Sequence, residues 1–315
     1  MFEFYRTLFR VTWRAQLVLI GLSLSVAALA AVPLEYQKRI INGLDGDLDG
    51  PALVRLGLEM GGIIVISLAL KWALGYRSGL VGEGVIKRIR YVICENPKAT
   101  GRTDVGTGTL ASMISAESEA VGKFVGDAVA EPVLQIGTLV SVVGYIAATQ
   151  PRLGLVVALI VLPQAVIVMM TQSRINRLVR ERVLFLRRAV NEVTHGDLAA
   201  AREAVHADFD RIYETRRKVF LWKLSTKFVL SALNGVGMVV VLVLGGSLVL
   251  EGRSDVGIVV AATVGLQRIQ QPWRLVIAFY RNLSAVRVQW ELMRGVVEKL
   301  RAAEAEAEKT PEGQG

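Results

Sequence analysis

The fold of this chain is decided by one long charged stretch, residues 172–227, which reads QSRINRLVRERVLFLRRAVNEVTHGDLAAAREAVHADFDRIYETRRKVFLWKLSTK. It contains thirteen basic and seven acidic residues and stands between two apolar runs, 153–171 and 228–250. Apolar residues recur within it at helical spacing, which predicts amphipathic helices. We expect the chain to leave a membrane along one helix, turn near residues 195–197 and return along a second helix.

The composition indicates a membrane protein. Hydrophobic residues make up 52% of the chain, although its formal net charge is +9. Apolar runs of about 20 residues match the hydrocarbon core of a bilayer, and a soluble domain has no use for them. The single cysteine, Cys94, excludes an internal disulfide framework. The first apolar run continues at a length that can span a membrane, so we expect no cleavable signal peptide.

The fold class that we predict is all-α, a polytopic membrane protein with six transmembrane helices and two long helical arms. Arginines at i, i+4 and i+8 with neighbouring aromatics predict an interfacial elbow helix over 1–14; the alternative is that these residues begin the first span. A tail at 301–315 is predicted to be disordered. The predicted spans are 16–32, 57–75, 128–149, 153–171, 228–250 and 256–283, and the arms are 76–125 and 172–227.

The distribution of basic residues predicts the orientation. The N-terminal segment, both arms and the tail hold 28 of the 37 lysines and arginines. Because cytoplasmic segments carry the excess of positive charge, both termini and both arms are expected in the cytoplasm. We therefore expect a multi-pass protein of the plasma membrane, the inner membrane in a bacterium.

Several short motifs appear in the order found in one transporter family. Residues 106–114, GTGTLASMI, are similar to that family's Thr-Gly-x-Leu-x-x-x-(Ile/Leu) pattern, although Ala116-Glu117 stands where the family usually has Asn-Asp. Asp255-Val256-Gly257 and Gln271-Pro272 are similar to its motifs at the start and middle of the last span. With the repeated arrangement of span, arm and span, residues 15–300 resemble the transmembrane domain of ABC exporters, which has the type I exporter fold.

The resemblance implies a dimer of six-span subunits, homomeric or heteromeric, in which each arm ends in a coupling helix that contacts an ATPase. The chain has no Gly-x-x-x-x-Gly-Lys-(Ser/Thr) loop to bind phosphates. We therefore expect the ATPase, with its ATP and Mg, to be a separate subunit, and this chain to bind no cofactor itself; the alternative is a fragment or a relic without an ATPase. The coupling residues implied by the resemblance are Glu95, Asn96, Lys98, Arg102 and Asp104 in the first arm, and Arg202, Glu203, His206, Asp208 and Arg211 in the second.

Polar residues inside the predicted spans indicate a substrate cavity. A charge near the bilayer centre costs about 2.5–3.5 kcal/mol on insertion scales, so it should face a partner or a wet cavity. The alternative for Arg268 is an ion pair with Glu131. The cavity residues that we predict are Gln135, Thr138, Asn234, Gln267, Arg268, Gln271 and Arg274. An electropositive site of this kind favours an amphiphile with a negative head.

No arrangement of residues predicts catalysis or metal binding in this chain. His195 and His206 are its only histidines, and two histidines without a clear third ligand are more often solvated than metal-binding. The function that we expect is the membrane (permease) subunit of an ABC-type exporter, in contact with lipid and not with nucleic acid. The alternative is a membrane scaffold or sensor that keeps this architecture without transporting a substrate.

Overall fold

The computed structural model describes residues 2–44, 48–94, 113–195 and 198–309. Within these ranges every regular element is helical. The helices are α1 (Phe2–Leu29), α2 (Val32–Leu44), α3 (Gly50–Cys94), α4 (Ser118–Thr149), α5 (Pro151–His195), α6 (Leu198–Leu250), α7 (Val256–Arg268) and α8 (Gln270–Lys309), with a π-helical turn at Met113–Glu117 before α4.

Five helical segments in the described part of the chain are long and apolar enough to cross a membrane. None of the most apolar part of α3 is buried within the chain, and Leu58, Val65 and Trp72 are among its exposed side chains. An apolar helix that faces outward is what contact with lipid requires, which agrees with a multi-pass membrane protein. The five segments are Thr12–Leu44, Gly50–Cys94, Met113–Thr149, Pro151–Leu186 and Val205–Leu250.

The residues divide into two compact units. Unit 1 comprises Met1–Tyr36, Leu48–Val142 and Arg274–Gly315, and unit 2 comprises Gln37–Asp47 and Val143–Trp273. Unit 1 therefore contains α1, α3, most of α4 and most of α8, and unit 2 contains α5, α6 and α7.

In unit 1, small residues allow α3 and α4 to approach closely. A Cβ atom added at Gly122 would lie 2.8 Å from the carbonyl oxygen of Gly82, and one at Gly126 would lie 2.4 Å from that of Ser78. The Ser78 hydroxyl donates to Asp127 Oδ1 at 2.6 Å. Short side chains of this kind let helix backbones pack together where no hydrophobic force drives them. The α3–α4 contact is therefore a tight one that leaves no space for larger side chains.

Two polar side chains of α1 also hold it against α4. Gln16, which is fully buried, donates from Nε2 to the carbonyl oxygen of Val125 at 3.2 Å. The Ser23 hydroxyl donates to the carbonyl oxygen of Ala130 at 3.1 Å. Hydrogen bonds between helices satisfy polar groups that lipid cannot. They add direction to the packing of α1.

The buried core of unit 1 lies at the end of this bundle where the π-helical turn meets α8. The Phe124 ring stacks on Phe279 with 5.4 Å between ring centres, and Arg90 Nε donates to the carbonyl oxygen of Ile114 at 2.9 Å. This core brings α8 beyond the predicted sixth span into contact with α3 and α4. Its buried members are Ile93, Met113, Val121, Phe124, Val125, Ala128, Leu283, Val286 and Met293.

In unit 2, the loops at one end of the helices are tied together. Asn42 Oδ1 accepts a hydrogen bond of 2.7 Å from the backbone N–H of Gly257 in the first turn of α7, while Asp255 at the N-cap position makes no side-chain capping bond. Only glycine fits at 257, because a Cβ would lie 2.4 Å from the carbonyl oxygen of Lys38. Gln150 Nε2 donates to the carbonyl oxygen of Arg253 at 3.0 Å. The start of α7 is thus capped by a side chain from α2.

The first part of the chain differs from the sequence expectation. Residues 2–29 form one helix with no break near residue 14, because nothing in 2–20 interrupts a helix: neither glycine nor proline occurs there. Membrane-surface binding by 1–14 stays a prediction. The first span was expected to reach Val32, but α1 ends at Leu29 and a second helix follows it. Pro33 lies in the first turn of α2, where a missing N–H costs nothing.

The end of the chain differs as well. The predicted span 256–283 is interrupted at Ile269, between α7 and α8. Pro272 accounts for this, because it has no N–H to donate to the carbonyl of Arg268; Ile269 itself keeps helical backbone angles. Residues 301–309, which we expected to be disordered, continue α8. Their alanines and glutamates are strong helix formers.

Candidate functional site

The α5–α6 pair of unit 2 is a long antiparallel hairpin whose register is fixed by two contacts. Thr226 Oγ1 donates to Thr171 Oγ1 at 3.0 Å. Eleven residues further along α6, a Cβ added at Gly237 would lie 2.5 Å from Ile160 Cδ1, eleven residues back along α5. The two contacts are separated by the same number of residues on both helices. The helices therefore run antiparallel in a constant register, in which a residue of α6 can be paired with the residue of α5 at the same height.

Between these two contacts the hairpin contains buried amide side chains. Gln164 is 3% exposed and Asn234 is 7% exposed, and Asn234 Oδ1 is buried without a hydrogen-bond partner in the described part of the chain. The register places Asn234 level with Pro163. Asn234 was a predicted cavity residue; Gln164 was not, because it was read as part of an apolar span. Its signal in the sequence was an amide next to a mid-helix proline.

A second predicted cavity residue reaches the same helix as Asn234. Gln267 Nε2 on α7 lies 3.8 Å from Met238 Sδ, and Met238 is one turn beyond Asn234 on α6. The two helices are held close because a Cβ at Gly245 would lie 2.8 Å from Val259 Cγ1. Asn234 and Gln267 therefore lie on two helices, α6 and α7, that pack against each other.

Two other predicted cavity residues of unit 2 flank the break between α7 and α8. Arg268 is half-buried and Gln271 is exposed. Within the described residues, Arg268 forms no ion pair or hydrogen bond. No acidic side chain among the described residues therefore balances the charge of this half-buried guanidinium.

The remaining predicted cavity residues belong to unit 1. Gln135 is buried and donates from Nε2 to Glu131 Oε1 at 3.1 Å. The Thr138 hydroxyl donates to the carbonyl oxygen of Leu134 in its own helix at 2.8 Å, and Arg274 is exposed. Local hydrogen bonds thus occupy the polar groups of Gln135 and Thr138. Four of the seven predicted residues thus belong to unit 2 and three to unit 1. Among them, Asn234 and Gln267 are the pair that the described contacts place on helices packed against each other.

The predicted coupling residues of the second arm lie in the first turns of α6. Glu203 and His206 are exposed, whereas Asp208 is 3% exposed. Arg211 Nη1 lies 3.8 Å from Asp208 Oδ1, and its guanidinium lies 5.6 Å from the ring centre of Phe185 on α5. This contact holds the charged parts of α5 and α6 together.

We expected a short helix of its own at the tip, near 202–211, but these residues belong to the continuous 53-residue helix α6. Neither glycine nor proline occurs in 198–234, so nothing separates 202–211 from the rest of α6. The side chain of Arg202 lies outside the described part, and so does the predicted turn at 196–197. The predicted first-arm residues Glu95, Asn96, Lys98, Arg102 and Asp104 also lie outside the described residues.

In the described ranges, no three histidine, cysteine, aspartate or glutamate side chains are grouped to hold a metal ion. The free cysteine, Cys94, is exposed. The polar features of the site are thus amides, hydroxyls and arginines, which bind and orient molecules by hydrogen bonds and charge.

Comparison with known proteins identifies the family. No curated protein matches the chain. The family model of the ABC transporter transmembrane region matches residues 17–273, which include α2 to α7 and the second half of α1, residues 17–29. The match therefore covers both units and most of the chain. The chain belongs to the ABC transporter transmembrane region family.

Proposed function

We propose that this protein is the membrane subunit of an ABC exporter, which moves a substrate by alternating access and is driven by a separate ATPase subunit. The observation that carries the proposal is the family match over 17–273 together with the length of the α5–α6 hairpin. α5 has 45 residues and α6 has 53, so at 1.5 Å per residue they are about 67 and 80 Å long. A hydrocarbon core is about 30 Å thick.

The charges divide the hairpin into a membrane part and an arm. The segments 153–171 and 228–250 contain no charged residue, whereas 172–227 contains twenty. The part that leaves the membrane would reach about 35 Å or more beyond it, at 1.5 Å per residue. Excess basic charge supports a cytoplasmic position for this arm and for both termini. An arm of this length and stiffness is suited to transmit movement from a cytoplasmic ATPase.

The sixth span is formed, in this proposal, by α7 and the first turns of α8. α7 alone has 13 residues, about 20 Å at the helical rise, and is too short to cross the bilayer. The break at Ile269 would give the span a bend next to Arg268. The proposal therefore has six spans with both termini on the cytoplasmic side, in a plasma membrane.

Alternating access needs two arrangements of the helices that nucleotide binding favours differently. The ATP and Mg would be bound by the partner ATPase, and the residues of α6 near Glu203, His206 and Arg211 would receive its contact. Two such membrane subunits, identical or different, would form the dimer.

The substrate that we propose is an amphiphile with a negative head. Support comes from Arg268, which is half-buried and has no acidic partner among the described residues. Coulomb attraction is poorly screened away from water, so an anionic head gains most at such a position. The apolar body of the molecule would contact the uncharged parts of α5 and α6.

The ATPase coupling is tested by purifying the full chain from native membranes with its partners. We expect ATP hydrolysis in the complex and none by the chain alone. Arg211→Glu should weaken the association. Its matched control is Arg217→Glu: Arg217 also pairs with an acid three residues earlier, Glu214, at 3.0 Å, but lies further from the tip. ATP hydrolysis by the isolated chain, or equal association of both variants, would contradict the proposal; a complex without ATPase would favour the scaffold function.

A further inference from the structure

Two buried amide side chains lie at nearly the same level of the α5–α6 helix pair, whose surroundings there are apolar. Gln164 of α5 and Asn234 of α6 are both more than nine-tenths buried. Neither forms a hydrogen bond within the described part of the chain, and the Oδ1 atom of Asn234 is fully enclosed. The large majority of buried side-chain polar atoms in folded proteins are hydrogen-bonded, so an unpaired buried amide requires an explanation.

The helix register brings these two groups together. Ile160 is opposite Gly237, and Thr171 is opposite Thr226, so Asn234 is level with Pro163, and Gln164 follows directly in the chain. Gln164 is also one turn from Ile160 on the same side of α5. Both amides therefore lie on the facing sides of the hairpin within about one residue step of 1.5 Å along its axis.

Folding alone does not account for this pair. Burying an amide without a hydrogen bond is unfavourable, and leucine or methionine would fill the same volume without that penalty. The neighbouring hairpin positions Val157, Val161 and Val241 are apolar and buried. Polar groups that lower stability in this way are typical of binding sites.

The chemistry of the surroundings limits the ligand. No charged residue occurs in 153–171 or 228–250, so a charged group would have no counter-ion there. An amide offers both donors and an acceptor. Together, the two amides suit a neutral group that can donate and accept, such as a hydroxyl or another amide.

We propose that Gln164 and Asn234 form a subsite for a neutral hydrogen-bonding group of the transported molecule. The subsite rests on the proposed transport function. It specifies a second feature of the substrate, a neutral polar group, in addition to the negative head proposed to bind at Arg268. The subsite is tested on the full chain without the ATPase. A negative result for the subsite therefore does not contradict the ATPase coupling, and a negative result for the coupling does not contradict the subsite.

Access to the subsite is measured by thiol modification in a Cys94→Ser background. Asn234→Cys is treated with the neutral 2-hydroxyethyl methanethiosulfonate and with its trimethylammonium counterpart. The control is Val241→Cys, 0% exposed and on the same side of α6. We expect the neutral reagent to modify position 234 about tenfold faster than 241, since a packed apolar interior offers it no polar partner. The proposal would be overturned if the neutral reagent modified positions 234 and 241 at equal rates. It would also be overturned if the charged reagent modified position 234 as fast as the neutral reagent does.

Thermal stability gives a second readout that needs no ligand. Gln164→Met and Asn234→Leu keep the side-chain size and remove the unpaired polar groups. If the amides serve binding, the melting temperature of the purified chain should rise in both variants. A fall in both would show that the amides hold the hairpin together, and would overturn the subsite.

Discussion

The closest approach of a glycine to the backbone of a neighbouring helix in unit 1 gives a prediction whose size follows from the structure. In Gly126→Ala, the new Cβ would lie 2.4 Å from the carbonyl oxygen of Ser78 and 2.9 Å from its hydroxyl. The nearest obstacle is backbone, so α3 and α4 have to move apart, and the hydrogen bond from Ser78 to Asp127 is strained with them. Overpacking of this kind costs about 1–3 kcal/mol, and alanine returns at most about 1 kcal/mol in helix propensity.

A control in the same helix removes the propensity contribution. Gly144 also lies in α4, but a Cβ there meets nothing within 4 Å. Gly144→Ala gains the propensity without the clash, so the two variants should differ by about 1–3 kcal/mol in the free energy of unfolding. We expect a lower melting temperature for Gly126→Ala than for Gly144→Ala, measured by intrinsic fluorescence in one detergent. Equal melting temperatures, or a more stable Gly126→Ala, would refute the packing of α3 on α4 described above.

Three further predictions concern topology, substrate charge and the cap of α7. In a cysteine-free background, a cysteine at 206 should react with an impermeant reagent only from the cytoplasm and one at 253 only from outside; reaction of 206 from outside contradicts the orientation. Arg268→Gln should fold normally, but the ATPase activity of its complex with the ATPase subunit should no longer be stimulated by acidic phospholipid vesicles. Unchanged stimulation would remove this residue from the mechanism. Asn42→Ala should lower the free energy of unfolding by about 1 kcal/mol, as loss of a helix cap does; an unchanged melting temperature shows that the cap contributes nothing.

The sequence was most informative where one physical rule dominates. α4 ends at Thr149, α6 ends at Leu250 and α7 begins at Val256, which are the residues where the predicted spans end or begin. These boundaries lie between apolar runs and turn residues, so hydropathy and turn chemistry give the same answer. The all-helical membrane fold follows from the same contrast, because in lipid each backbone polar group must be satisfied within its helix.

The boundaries that were missed depend on packing and on the context of single prolines. The first span was predicted to end at Val32, next to Pro33, yet Pro33 lies in the first turn of α2, where the burial of Leu34 stabilises the new helix. Pro272 was read as part of a span, yet its missing N–H interrupts the span three residues earlier. Both prolines are visible in the sequence, but which neighbouring helix each one serves is decided by tertiary contacts.

The candidate site could be predicted only in part. Asn234 and Gln267 were identified as polar residues inside apolar runs, and the structure places them on packed helices of one unit. Gln164 was missed, since its significance arises from the register of α5 against α6, which a single sequence does not reveal. Gln135 was identified, but its amide is engaged by Glu131 one turn away. Polarity in a span thus predicts burial and pairing more readily than it predicts ligand contact.

The central claim, ATP-driven alternating access, is tested most directly by the accessibility of Gln271→Cys in the complex with its ATPase. Gln271 is exposed and is a predicted cavity residue. An impermeant thiol reagent should modify it from the cytoplasmic side without nucleotide, and this reaction should stop when ATP is bound and trapped. Leu68→Cys, 58% exposed on α3, serves as the lipid-facing control and should show no dependence on nucleotide. Modification of Gln271→Cys at the same rate with and without ATP would contradict the account.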